Sequence, residues 1–168
     1  RTADGLPWEL RFEFALPLPD GDFDYERLDP ASTYAGRTLP NLSLEELRAL
    51  PHHEQITQHF CIQGWSGVAK WGGVSLQTIL DLVRPKPEAK WVVFYSFADG
   101  PEGGIYYDVH AIEQMRYKLT MLAYDMNGKP LPPDHGAPLR LRNETQLGFK
   151  QVKWIRGLEF VADFADIG

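Results

Sequence analysis

The sequence predicts an α+β domain of short strands and short helices mixed irregularly. Three observations carry this. Two helix-length segments each open on a serine and close on proline; the stretches around them have the alternation or short apolar runs of strands; and no strand–helix–strand rhythm recurs, as a doubly wound sheet would require. With 168 residues, 43% of them hydrophobic and 12% aromatic, the chain is long and apolar enough for one real core.

Residues 1–41 are rich in Pro, Gly and Asp and read as a divergent N-terminal segment, with 42–168 as the main body of a single domain. Within that segment Trp8 to Phe14 alternates like a half-buried strand, Pro17-Leu18-Pro19-Asp20-Gly21 reads as a turn, and the stretch after Gly21 reads as a loop. Ser43-Leu44-Glu45-Glu46 fits a capping box, and Leu44, Leu47 and Leu50 mark a short helix that Pro51 ends. The segment from Glu54 to Ile62 is expected to be extended. Ser75 caps a second helix with Leu76, Ile79, Leu80 and Val83 on one face, stopped by Pro85 and Pro87. Trp91 to Tyr95 suits a buried strand.

Gly100 to Gly104 is a loop, followed by a strand from Ile105 to Val109 and a short helix around Ala111 to Met115. A strand from Leu119 to Tyr124 closes on the Asn127-Gly128 turn. Leu139 to Arg142 alternates like a strand with one wet or ligand-facing side, and Val152 to Val161 supplies one or two more.

Seventeen basic against 23 acidic residues give a net charge of −6, a poor start for binding a phosphate backbone, so no nucleic-acid partner is expected. No apolar run reaches the roughly 18–20 residues of a transmembrane helix. The start at Arg1, without an initiator Met or a signal-like apolar stretch, leads us to expect a processed form or an excised domain.

Cys61 is the single cysteine, and it cannot form an intramolecular disulfide. On residue type alone it is a buried apolar side chain, a nucleophile, or a ligand to a soft metal. His59, two residues earlier, would share a strand face with it and begin a zinc or copper site, although no second cysteine exists and the remaining histidines show no ligand spacing. A second feature is the run His135-Gly136-Ala137-Pro138-Leu139-Arg140-Leu141-Arg142, followed by Gly148-Phe149-Lys150-Gln151-Val152-Lys153-Trp154. It gathers two arginines and two lysines in an otherwise acidic chain, with Arg140 and Arg142 on one strand face. That is either an anion site or a solvated basic face.

Four ordered blocks resemble the molybdopterin-binding domain of the sulfite oxidase family: Cys61 to Ser66 with Trp71 to Leu76, Leu122 to Gly128, His135 to Arg140, and Gly148 to Trp154. The resemblance runs from about Leu42 to Val161 and implies a sulfite-oxidase-like α+β fold. It implies that Cys61 is the thiolate ligand of molybdenum, and therefore the catalytic metal site, alongside the dithiolene of one pyranopterin. It also implies that His135, Arg140, Gln151, Val152 and Lys153 hold the pterin and its phosphate, with Ser96, Asp99 and His53 as further cofactor contacts.

In sulfite-oxidising members an arginine follows shortly after the ligand cysteine, whereas here no cation occurs between Cys61 and Lys70, and Trp65 makes the pocket more apolar. The block is closer to the bacterial branch that includes sulfoxide reductases. Tyr124 does not correspond to the family's substrate tyrosine. The expected activity is oxygen-atom or two-electron transfer at a molybdenum–molybdopterin cofactor on a small sulfoxide-like or sulfite-like substrate. The expected electron partner is a cytochrome or quinone-linked membrane protein, because the chain has no cysteine cluster and no haem-attachment motif. The resemblance implies a periplasmic location. A non-catalytic binding or assembly module that keeps the fold without cofactor is the alternative.

Overall fold

A computed structural model gives the structure of residues 9–14, 33–34, 37–38, 42–101, 103–163, 165 and 167, with side chains described from residue 42 onward. In chain order the elements are β1 (Glu9–Phe14), β2 (Thr33–Tyr34), β3 (Arg37–Thr38), β4 (Leu42–Ser43), α1 (Leu44–Ala49), β5 (His53–Phe60), β6 (Ser66–Ser75), α2 (Leu76–Val83), β7 (Trp91–Asp99), β8 (Ile105–Ala111), α3 (Ile112–Met115), β9 (Thr120–Met126), β10 (Lys129–Pro130), β11 (Arg140–Asn143) and β12 (Ile155–Val161). This is the expected α+β class.

Local chemistry explains the helices. Ser43 caps α1 in a complete capping box, its hydroxyl accepting from the Glu46 N–H and the Glu46 carboxylate accepting from the Ser43 N–H; such a cap contributes about 1 kcal/mol. Ser75 caps α2, whose Leu76, Ile79, Leu80 and Val83 are buried, each worth about 1.5–3 kcal/mol relative to exposure. Arg84, in the left-handed conformation, ends α2 one residue before the proline that sequence reading takes as its stop.

Among the described residues the strands form two five-stranded sheets and a small hairpin. One sheet has the order β4-β1-β12-β7-β8, with β1 parallel to β12 and the other pairs antiparallel. The other runs β10-β9-β6-β5, with β11 also paired to β9. Strands β2 and β3 pair with each other where a loop is expected from the sequence. The Pro17–Gly21 turn lies outside the described residues. The long strand β6 is not anticipated by sequence reading, because Gly67, Gly72 and Gly73 break its pattern. Gly73 is there for close approach: a Cβ on it would lie 2.0 Å from the Leu122 carbonyl oxygen, at the register shift between β6 and β9.

The second sheet has two different faces, and this positions the site. Val74, Leu122, Tyr124 and Leu141 point into the main core, which α2 and the first sheet share. The opposite face carries Trp71, Met121 and Ala123, and strand register adds Gln55, Thr57 and His59 of β5 and Arg140 and Arg142 of β11. All four residues of β11 are buried, so its arginine side is not wet. Tyr124 faces the other way, against His52 and the Gly73 carbonyl.

Candidate functional site

A cavity of about 790 Å³ opens over the arginine-bearing face, lined among others by His59, Cys61, Gln63, Trp65, Trp71, Asp99, His135, Arg140, Gly148, Gln151, Val152, Lys153 and Trp154. Cys61 sits in the tight connection from β5 to β6, where its N–H donates to the Trp65 carbonyl and its own carbonyl accepts from Gly64. The thiol is partly exposed, and its Sγ lies 4.0 Å from Gln63 Oε1.

Two guanidinium groups stack on one indole: the Arg140 and Arg142 carbons lie 4.9 Å and 4.4 Å from the Trp71 ring centroid. They are partnered differently. Arg142 is fully buried and forms a fork with Glu144, Nε to Oε1 at 3.0 Å and Nη2 to Oε2 at 2.8 Å. Gln55 and Thr57 donate to the same carboxylate at 3.1 Å and 2.9 Å. Arg140, 5% exposed, gives Nη1 to the His135 carbonyl at 2.9 Å and leaves its Nε without a hydrogen-bond partner. Burial pushes its pKa down to about 9, and the charge of Arg142 adds to the effect.

The third N–H of the Arg142 fork reaches His59: Nη1 donates to Nδ1 at 2.8 Å. An arginine can only donate, so Nδ1 accepts and the ring proton resides on Nε2. Burial and then the two arginine charges push the His59 pKa down to about 4, so the ring is neutral at pH 7. Trp65 packs against it at 5.6 Å between centroids.

The far wall is stitched to the turn at 133–136. Gly136 (φ 107°) packs on Lys153, where a Cβ would come within 2.8 Å of the Lys153 Cβ. Lys153 Nζ donates to the Asp134 carbonyl and lies 4.1 Å from the Trp154 ring centroid; burial, then Arg140, lowers its pKa. Trp154 Nε1 donates to the Pro133 carbonyl. Strand β8 clamps the adjoining turn: Tyr106 donates to the Phe149 carbonyl, Asp108 pairs with Lys150, and buried His110 gives Nε2–H to the Lys150 carbonyl.

The structure thus brings together Cys61, His135, Arg140, Gln151, Val152, Lys153 and Asp99 at one cavity. Ser96 is not among the lining residues: it is 1% exposed, its hydroxyl donating to the Lys153 carbonyl and accepting from the Ala98 N–H. Its place is behind the cavity wall. His53 is also away from the lining, at the start of β5, with its Nε2 3.2 Å from Gln55 Oε1. Among the described residues no group of three His, Cys, Asp or Glu side chains converges as a metal site, and His59 Nδ1 is taken by Arg142, so the zinc or copper reading lacks ligands. Sequence reading missed Gln63, Trp154 and the Gln55–Thr57–Glu144 support; the period-2 polar run in β5 was its signal.

The unpartnered buried atoms test what the cavity suits. Three buried side-chain atoms of its lining have no hydrogen-bond partner among the described residues: Trp71 Nε1, Arg140 Nε and Gln151 Oε1. Two buried donors and an acceptor, beside a guanidinium that forms no ion pair among the described residues, fit a heterocycle rich in hydrogen-bonding edges that carries an anionic group. The sequence profile of the oxidoreductase molybdopterin binding domain matches residues 35–166.

The chain belongs to this family. Its relatives include a putative protein-methionine-sulfoxide reductase subunit YedZ1 of Azospira oryzae, 38% identical over 116 residues, 69% of this chain and 42% of that protein. They also include the protein-methionine-sulfoxide reductase catalytic subunits MsrP of Xanthomonas axonopodis pv. citri, 37% identical over 131 residues (72% and 41%), and of Campylobacter jejuni, 33% over 133 residues (73% and 45%). The chain therefore spans less than half the length of these relatives. The sulfane dehydrogenase SoxCD of Paracoccus pantotrophus has the same fold, with a TM-score of 0.66 at 20% identity, covering 93% of this chain and 38% of that one. Both the resemblance to the sulfite oxidase family and the α+β fold it implies hold for this molybdopterin-binding domain.

Proposed function

We propose that this domain holds one molybdenum–molybdopterin cofactor and reduces an uncharged sulfoxide. The observation that carries the cofactor reading is Arg140, buried with its Nε unpartnered and with no ion pair among the described residues, in the same cavity as the only cysteine. Arg140 and Lys153 would hold the phosphate, His135, Gln151, Val152 and Asp99 the pterin, and Cys61 the metal as thiolate. When bound, molybdenum supplies the two-electron oxygen-transfer chemistry.

Charge selects the substrate. The wall contributed by 59–68 consists of neutral His59, Cys61, Ile62, Gln63, Trp65, Gly67 and Val68, with no cation to meet a sulfite dianion. Reducing a sulfoxide consumes two electrons and two protons and releases the sulfide and water. The electrons come from a separate redox protein, a cytochrome or quinone-linked membrane subunit, and the periplasm is the compartment this reading favours. The relatives' printed names, a reductase subunit and catalytic subunits, support a partnered enzyme.

Elemental analysis and pterin fluorescence on protein from a cofactor-competent host test the reading. Near-stoichiometric molybdenum and pterin, with dimethyl sulfoxide reduced much faster than sulfite is oxidised, are expected. A folded chain carrying neither overturns it in favour of a binding or assembly module.

A further inference from the structure

We propose that His110 is a positioning residue for the cofactor-facing stretch 151–153: oriented by Asn143, it grips the Lys150 carbonyl from behind the cavity wall and so sets where Gln151, Val152 and Lys153 meet a bound pterin. The role toward pterin rests on the cofactor reading above; the grip on the chain rests on geometry alone.

Residues 151–154 belong to no strand or helix, so their path is set by what holds their backbone. The carbonyls of Lys150, Val152 and Lys153 each accept from a different strand. His110 Nε2 of β8 donates to Lys150 at 3.0 Å, the Leu141 N–H of β11 to Val152 at 2.8 Å, and the Ser96 hydroxyl of β7 to Lys153 at 2.7 Å. With the backbone held there, Gln151, Val152 and Lys153 line the cavity, whereas His110 and Ser96 do not. Tyr106, on the same face of β8 as His110, donates to the Phe149 carbonyl at 2.6 Å, so one strand holds two successive carbonyls of the turn.

His110 is itself held. Asn143 Oδ1 accepts from the Thr145 N–H and hydroxyl, at 3.3 Å and 2.7 Å, which turns the amide Nδ2 toward His110 Nδ1 at 3.2 Å. A side-chain amide nitrogen only donates, so Nδ1 accepts and the ring proton stands on Nε2, facing the Lys150 carbonyl. Asp108 Oδ2 lies farther from Nε2, at 3.8 Å, and Asp108 Oδ1 pairs with Lys150 Nζ. The ring is 2% exposed and meets Phe94 edge-on, with centroids 5.6 Å apart. A buried ring with a hydrogen bond at each nitrogen and an aromatic neighbour has one orientation.

The test compares His110→Leu and His110→Gln with wild type on the full chain. Glutamine reaches about as far as the ring and ends in an N–H donor; leucine fills the space without one. Among 150–154 the amides of Lys150, Gln151 and Trp154 are hydrogen-bonded. Their hydrogen exchange is expected to quicken about tenfold or more in His110→Leu and to stay near wild type in His110→Gln. Pterin release from the folded protein, followed by fluorescence after molybdenum and pterin are quantified, is expected to keep the same order. Equal behaviour of the two variants, wild-type exchange in His110→Leu, or quickening spread evenly over the chain in step with melting temperature overturns the grip. Quickened local exchange with unchanged pterin release overturns the role toward pterin. Nitrogen-15 NMR of wild type, which needs no variant to fold, is expected to show His110 as a single Nε2–H tautomer; an Nδ1–H ring overturns the grip. A wild type without pterin overturns the cofactor reading and the release arm with it, while exchange and tautomer still decide whether His110 holds the turn.

Discussion

Arg142 and Glu144, two residues apart where β11 ends, form a forked ion pair with side chains 0% and 9% exposed. Five hydrogen bonds converge on it or leave it: two within the pair, two from Gln55 and Thr57, and one to His59. A buried pair of this kind is weak evidence for stability in itself, but breaking it is costly.

Glu144→Gln leaves the Arg142 charge buried without its counter-charge. The variant is expected to lose about 3–5 kcal/mol of unfolding free energy. Denaturant titration measures this, and a loss under about 1 kcal/mol would show that water or another group takes over the carboxylate's place.

Trp71 supports both guanidinium groups and is 3% exposed. Trp71→Leu is expected to cost about 2–4 kcal/mol through lost packing and lost cation–π contact. Trp71→Phe keeps an aromatic face and should cost less. Pterin retention should fall in the same order, because Arg140 depends on that face for its position; retention unchanged in Trp71→Leu contradicts this.

Three glycines are predicted to respond differently to alanine. In Gly73→Ala the Cβ meets backbone, 2.0 Å from the Leu122 carbonyl oxygen, and folded protein should not accumulate. In Gly148→Ala it meets the His59 ring at 2.4 Å, which must shift, at about 1–3 kcal/mol. Gly67→Ala meets nothing within 4 Å and should stay within about 0.5 kcal/mol of wild type. Expression level and melting temperature report this order.

Stability should fall as pH drops from 6.5 toward about 4. His59 is lowered from 6.5 to about 4, and burial also lowers His110, which donates to Lys150 and accepts from Asn143. Both bind a proton less readily in the folded state, so below 6.5 the unfolded chain binds more protons and gains population. Their contribution is fully present above 6.5 and is lost on acidification. Urea midpoints between pH 7.5 and 4.5 check the slope, which should be shallower in His59→Gln; a flat wild-type profile contradicts the assignment.

Cys61→Ser is expected to change stability by less than about 0.5 kcal/mol, since the thiol is partly exposed and its one described contact is at 4.0 Å. If the proposed cofactor is bound, the variant's molybdenum content or optical spectrum should change nonetheless. A large loss of stability would make Cys61 structural.

What is local in this chain could be read directly from its residues. Ser43 with Glu46 three residues on, Ser75 before an apolar helical face, and Asn127-Gly128 between two strands each contain their own physical cause within a few neighbours. The ordered blocks around Cys61, His135 to Arg140, and Gly148 to Trp154 likewise picked out Cys61, His135, Arg140, Gln151, Val152 and Lys153, all of which line the cavity. Strand register decided the rest. Arg142 meets His59 across 83 residues of chain and Glu144 meets Gln55 across 89, contacts that exist only once β11, β9, β6 and β5 are aligned side by side. Packing likewise put Ser96 behind the wall and His53 away from it, although the family resemblance implied cofactor contacts at both. A local signal needs one stretch of chain, whereas the partner of a buried charge is chosen by the packing of the whole core, which no single stretch encodes.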